Sequence, residues 1–156
     1  MTPSRKIEVL VPVVRLREHG LDLARQRAAR AREAVFEAEH ERVRCEAKLA
    51  YLAGEMGRLD AWFAERLDGA AIQAGLARRE ALTAAREVGV RDRDAAEQAL
   101  EAARLALTEA VVAVQRAEGR RDAMRDQLAG ARSRRRVERD EREQLDLEDL
   151  TRRRAW

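Results

Sequence analysis

Apolar residues recur every seven positions through the first part of the chain. One series runs Leu10, Arg17, Ala24, Ala31, Ala38, Cys45, Leu52, Leu59, and a second runs Val14, Leu21, Ala28, Val35, Arg42, Leu49, Met56, Phe63. The two interleave at spacings of four and three, the a and d positions of a heptad, with Arg17 and Arg42 as the polar intruders. A seven-residue beat held over this length specifies a helix whose seam winds with a left-handed supercoil around a partner. A second set lies in the later half: Leu100, Leu107 and Val114, with Ala103, Ala110, Ala117, Met124 and Ala131 three residues further on. Between 75 and 95 the beat weakens at Gly75, Gly89 and the charged run Arg91-Asp92-Arg93-Asp94, which predicts a bend or fray there.

The two halves suit one another as antiparallel partners. Folding at Gly69 sets opposite one another residues whose numbers sum to 138: Ala38 with Leu100, Ala31 with Leu107, Ala24 with Val114, Val35 with Ala103, and Leu21 with Ala117. Small meets large in successive layers, which gives close helices with few voids. This register also sets Arg17 against Arg121; a slip of one heptad, to a sum of 145, relieves that conflict and lengthens the connection to 67–76. Both registers give a helical hairpin.

Boundary signals complete the outline. Pro12 disfavours helix at Val11 and suits a first turn, so helix 1 is expected over about 12–67, after a short kinked turn at 4–10. Gly54 and Gly57 soften it at about 1 kcal/mol each without ending it. Asp68-Gly69 is the expected stop, with Gly as the left-handed residue and Arg66 in the last turn. Helix 2 then fills about 71–154. At 1.5 Å per residue the helices would be roughly 80 Å and 125 Å long. The predicted fold is therefore all-α: one domain over 1–156, a long two-helix antiparallel coiled-coil hairpin with an overhanging C-terminal helix from about residue 132.

Composition agrees with long helices and argues against a layered core. Of 156 residues 46% are hydrophobic, but 31 are Ala, aromatics are 3%, and charged residues reach 39%. The single Cys45 excludes an internal disulfide and suits a reducing compartment. No stretch approaches the roughly 18 apolar residues of a membrane span. The opening MTPSRKIEVLVPVV makes a poor signal peptide, since its short apolar run contains Glu8 and Pro12 and leads straight into Arg15. A soluble, cytoplasmic helical protein is expected.

Candidate chemistry is sparse. No GxxxxGK[ST] loop occurs, so nucleotide binding of that kind is not expected. His19 and His40 lie on outer positions of one helix about 30 Å apart, too far to share a metal. Cys45 falls at a core d position and reads as packing. The many Glu/Asp–Arg spacings of three and four read as solvated helix faces. No catalytic residue, cofactor or metal is predicted, and the chain is read as a non-enzyme. Residues 132–139 are rich in Arg, but Glu138, Asp140, Glu141 and Glu143 adjoin and no aromatic interleaves, so a protein partner or solvent is favoured over nucleic acid. Trp62 and Phe63 read as local packing near the hairpin tip, and Leu76 and Leu82 mark a loose stretch where a partner groove is expected.

The whole layout resembles the FliJ/YscO family of type III secretion and flagellar export proteins. The likeness rests on the opening Val14-Arg-Leu-Arg-Glu-His19 and the Ala-rich helix that follows, on the Gly-containing turn, and on Glu143-Gln-Leu-Asp-Leu-Glu-Asp-Leu150 closed by Arg152-Arg-Arg154. What the resemblance implies is a monomeric cytoplasmic stalk, peripheral to the secretion apparatus at the inner membrane. Such a stalk enters the hexameric secretion ATPase, promotes its assembly and links it to the export-gate membrane protein; some members also bind export chaperones. Carried onto this chain, the ATPase contacts would be Leu10, Val13, Arg15 and Arg17 with Arg132, Arg134, Arg135, Arg136 and Arg139, and the gate or chaperone contacts Leu76 and Leu82. No aromatic stands beside those two leucines. The injectisome branch is preferred over the flagellar one on the Arg/Ala-rich character. The rival classes are a generic coiled-coil scaffold that pairs between chains and an Arg-rich nucleic-acid binder.

Overall fold

The computed structural model describes residues 2–65 and 68–154. Within them the chain forms two helices that pack against one another, α1 (Pro3–Phe63) and α2 (Gly69–Arg154). The chain divides into two compact units, each containing a piece of both helices: one takes the residues up to Ala28 with those from Ala110 onward, the other Ala29–Glu109. The two pieces run antiparallel in each.

α1 starts at Pro3, earlier than the expected start at Pro12. Pro3 occupies the first helical position, where its fixed φ is already helical and no N–H is needed, and the Thr2 carbonyl accepts the Lys6 N–H at 3.1 Å. Pro12 then sits inside the helix without ending it. A proline there costs about 3 kcal/mol. The penalty is offset because Leu10 and Val14 are buried with Leu128 and Ala131, flanked by Ile7, Val11 and Met124. Each large apolar side chain so buried contributes about 1.5–3 kcal/mol, and two of them outweigh the proline.

The connection also departs from expectation. α1 ends at Phe63, and the next two residues close tight i→i+3 turns, Ala64 N–H to the Ala61 carbonyl at 3.2 Å and Glu65 N–H to the Trp62 carbonyl at 3.1 Å. Asp68-Gly69 does not terminate α1; it starts α2. Gly69 is the first residue of that helix and has no positive φ. Asp68 caps it, its Oδ1 accepting the Ala71 N–H at 2.7 Å and its carbonyl the Ile72 N–H at 3.0 Å. Arg66 and Leu67, where helix 1 was expected to finish, lie outside the described residues.

α2 runs unbroken through 75–95, where the weakened beat predicts a bend. The reason is steric. Gly75 and Gly89 are buried seam positions, and with Leu82, Ala96 and Ala103 they continue the seven-residue series backward through the unit of residues 29–109. A Cβ on Gly75 would collide with the Trp62 ring and come within 2.7 Å of Phe63 Cζ; one on Gly89 would come within 2.9 Å of Leu49 Cδ2. Large α1 side chains occupy the space these glycines leave, so the contact offsets what the glycines cost the helix. Leu49 against Gly89 and Phe63 against Gly75 both match the register that sums to 138. Cys45, Leu52, Leu59 and Leu100 are buried in the same unit.

Charges flank both seams. In the unit of residues 29–109, Arg104 pairs with Glu39 at 3.3 Å and Arg78 with Glu55 at 2.7 Å. In the other unit Arg25 pairs with Glu118 at 3.0 Å and Arg125 donates from Nε to Glu18 at 3.2 Å. Apart from the largely buried Glu55 side chain, these groups are exposed, and exposed pairs contribute about 0–1 kcal/mol, so they fix orientation more than stability. The arginines at seam positions solve their burial differently. Arg17 is exposed, and Arg121 is half-buried with its guanidinium paired to Asp122. Arg93 is held charged by its hydrogen bond and charge pairing with Asp94, which raise its pKa. Arg42 pairs with Glu46 at 2.8 Å but leaves its buried Nε without a partner among the described residues.

The glycines give a sign test. Gly57 is exposed with open space at its Cβ position, so Gly57→Ala should stabilise by about 0.5–1 kcal/mol through helix propensity. Gly75→Ala should destabilise by about 1–3 kcal/mol through overpacking against Trp62 and Phe63. Urea unfolding followed by circular dichroism measures both, and a stabilised Gly75→Ala variant would remove the steric account of the seam.

Candidate partner-binding surface

A surface made of two helices offers stripes and grooves in place of an enclosed cleft. Among the described residues no group of three or more His, Cys, Asp or Glu converges as a metal cage, and no helix is long and apolar enough to cross a membrane. Phe36 and His40 stack edge to face at 5.3 Å on the outside of α1.

In the unit that carries the early part of α1, the sequence-selected residues separate into three environments. Leu10 is 8% exposed and belongs to the cluster with Val14, Leu128 and Ala131, so it holds the helices together and offers little surface. Val13 is half-buried beside it. Arg15 and Arg132, one from each helix, line a shallow cleft together with Val11, Glu18, Arg125 and Ala129. Glu18 is already engaged by Arg125, which leaves Arg15 and Arg132 without a carboxylate among the described residues. Arg17 faces a different groove, bordered by Leu16, Gly20 and Leu23.

The other predicted arginines continue along α2. Every residue from Arg132 to Arg153 is exposed. Arg134, Arg135 and Arg136 make no ion pair among the described residues, whereas Arg139 pairs with Glu143 at 3.1 Å and lies 4.0 Å from Asp140. Four unneutralised guanidiniums at 132, 134, 135 and 136 therefore crowd about one and a half helical turns. Crowded cations on an exposed helix repel one another, and an acidic surface that relieved the repulsion would bind there with a strong dependence on salt. Leu145, Leu147 and Leu150 are 62%, 62% and 56% exposed.

In the unit of residues 29–109, Leu76 and Leu82 do different work. Leu82 is a half-buried seam residue, while Leu76 is 52% exposed. Leu76 borders a shallow depression with Phe63, Ile72, Asp60 and Arg79, so the exposed apolar surface here joins both helices. Across the same end, Glu55 accepts from Arg58 and Arg78 beside Trp62, with its own side chain only 14% exposed. Sequence reasoning missed Ile72 and Glu55. Ile72 precedes Leu76 by one helical turn, a spacing that flags a shared face; the burial of Glu55 has no local signal because it depends on the partner helix.

No protein-family model matches the sequence, and no curated protein or solved structure is significantly similar to it.

Core and surface roles separate by substitution. Leu10→Ala should cost about 2–3 kcal/mol, the low end for a buried leucine because two helices supply few neighbours. Arg15→Ala and Arg135→Ala should change stability by less than about 0.5 kcal/mol. Thermal unfolding checks all three, and a Leu10→Ala protein as stable as the parent would contradict the buried cluster.

Proposed function

We propose that the chain is a stalk-like component of a type III secretion export apparatus, of the FliJ/YscO kind. In this reading it works in the cytoplasm, peripheral to the apparatus at the inner membrane. It binds the hexameric secretion ATPase, promotes its assembly and activity, couples it to the export-gate membrane protein and receives export chaperones. The observation that carries the reading is the exposed α2 segment from Arg132 to Arg153, headed by four arginines that make no ion pair among the described residues. That segment would project past α1 as an overhanging helix, with Arg15 lining a cleft with Arg132 at its root, Val13 nearby, Leu10 as the packing beneath, and Arg17 further along in a separate groove. An unsupported helix of this length is marginal alone, so a partner that grips it supplies the missing stabilisation. Seated in a polar pore, the arginines from Arg132 to Arg139 would meet acidic groups while the mixed charges beyond them remain solvated. Leu76 with Ile72 and Phe63 is the surface assigned to the gate or to chaperones.

Purified hexameric secretion ATPase tests the proposal. The protein should raise its hydrolysis rate, and joint substitution of Arg132, Arg134, Arg135 and Arg136 by Glu should raise the half-maximal concentration at least tenfold, with helical content unchanged. Absence of both binding and stimulation by the parent protein would remove the export assignment. Sedimentation should return a monomer; a dimer that persists on dilution would favour a scaffold that pairs between chains.

A further inference from the structure

α1 carries a second apolar line, separate from the seam, in the unit that contains the residues up to Ala28. Val9, Leu16 and Leu23 recur at seven-residue spacing and are 52%, 67% and 41% exposed. Half-buried Val13 and exposed Gly20 fall between them at spacings of three and four, so all five share one helix face. A groove runs between the Leu16–Leu23 part of this line and α2. Leu16 and Leu23 wall it, and the small residues Gly20, Ala24, Ala113 and Ala117 form its floor. A Cβ placed on Gly20 would meet nothing within 4 Å, so the floor is open above that residue. The ionisable groups lining it are Arg17, Arg27, Arg120 and His19, and no carboxylate is among them. The carboxylates paired in this unit are engaged by Arg25, Arg121, Arg125 and Arg139, which leaves the groove's three guanidiniums without partners among the described residues.

We propose that this groove seats an acidic amphipathic helix of a partner protein as a third strand beside α1 and α2. A small-residue floor lets a helix backbone approach closely, while two protruding leucines one heptad apart fit between successive turns of that helix. Exposed apolar side chains recurring on one helix face, as Val9, Leu16 and Leu23 do, mark an interaction surface, whereas scattered exposed leucines would not. The α1 lining from Leu16 to Arg27 accommodates about three turns of partner helix, roughly 16 Å. Charge selects among amphipathic helices: carboxylates beside the partner's apolar stripe would meet Arg17, Arg27 and Arg120, and lysines there would be repelled. The groove does not depend on the export reading, because its occupant is identified by shape and charge alone.

The test uses the full-length protein and a fluorescein-labelled synthetic helix of about three heptads, with Leu at a and d and Glu at e and g. A twin peptide carries Lys at e and g. Fluorescence anisotropy should show binding of the Glu peptide, weakened by salt, and at least tenfold weaker binding of the Lys peptide. Leu16→Gln with Leu23→Gln should weaken the Glu peptide at least tenfold. Arg17→Glu, Arg27→Glu and Arg120→Glu together should do the same and improve binding of the Lys peptide. All these side chains are exposed, and unchanged circular dichroism would confirm that the variants fold. The proposal is overturned if neither peptide binds, if both bind alike, or if the leucine variant binds as the parent does. Self-association that the leucine variant abolishes would make a second copy the occupant, and binding to anionic phospholipid vesicles abolished by the same variant would make it a membrane; either result also overturns the proposal.

Discussion

Everything in this structure depends on matching side-chain size across a seam only two helices wide. A layered domain buries each residue among neighbours from several elements; here a residue has its own helix and one other. A void cannot be filled from a third direction, so the opposite position must supply the missing volume. Gly75 under Trp62 and Phe63, and Gly89 under Leu49, are the extreme cases. In both, a residue that weakens its own helix permits a contact that holds two helices together. The alanines perform the same service in milder form, with Ala131 fully enclosed between Leu10 and Val14 on one side and its own helix on the other.

That constraint explains which parts of the fold could be read from the sequence. The heptads of α1 and the later heptads of α2 were legible because large residues announce themselves at fixed spacing. The stretch 75–95 was misread because glycines at seam positions look like breaks when only one helix is considered; their meaning is carried by residues on α1. Pro12 was misread for the same reason, since its local cost is visible in sequence and the burial that offsets it lies on residues 124–131. Asp68-Gly69 holds both a stop and a start signal, and hydrogen bonding decides for the start. Helix ends are governed by such small differences.

The candidate surfaces were only partly legible. The arginine cluster at 132–136 was evident from composition, and its exposure follows from the end of the α2 heptads at Ala131. Leu10 was selected for its place near an end and proves to be core. The apolar line of Val9, Leu16 and Leu23 is masked in the sequence because the a and d positions already account for one seven-residue period. A second period in the same helix is weak evidence by sequence alone, since scattered exposed leucines are ordinary; the burial pattern distinguishes the two.

Cys45 gives the seam a reporter of its own motion. Its thiol is buried, 8% exposed, in the middle of α1, with Sγ 3.9 Å from a Glu41 oxygen. A thiol reagent reaches it when the neighbouring turns separate from α2, so its labelling rate counts local openings of one unit and is silent about the other. The chain thus carries, at native sequence, a chemical clock for the breathing of its middle turns, to be read with and without a bound partner.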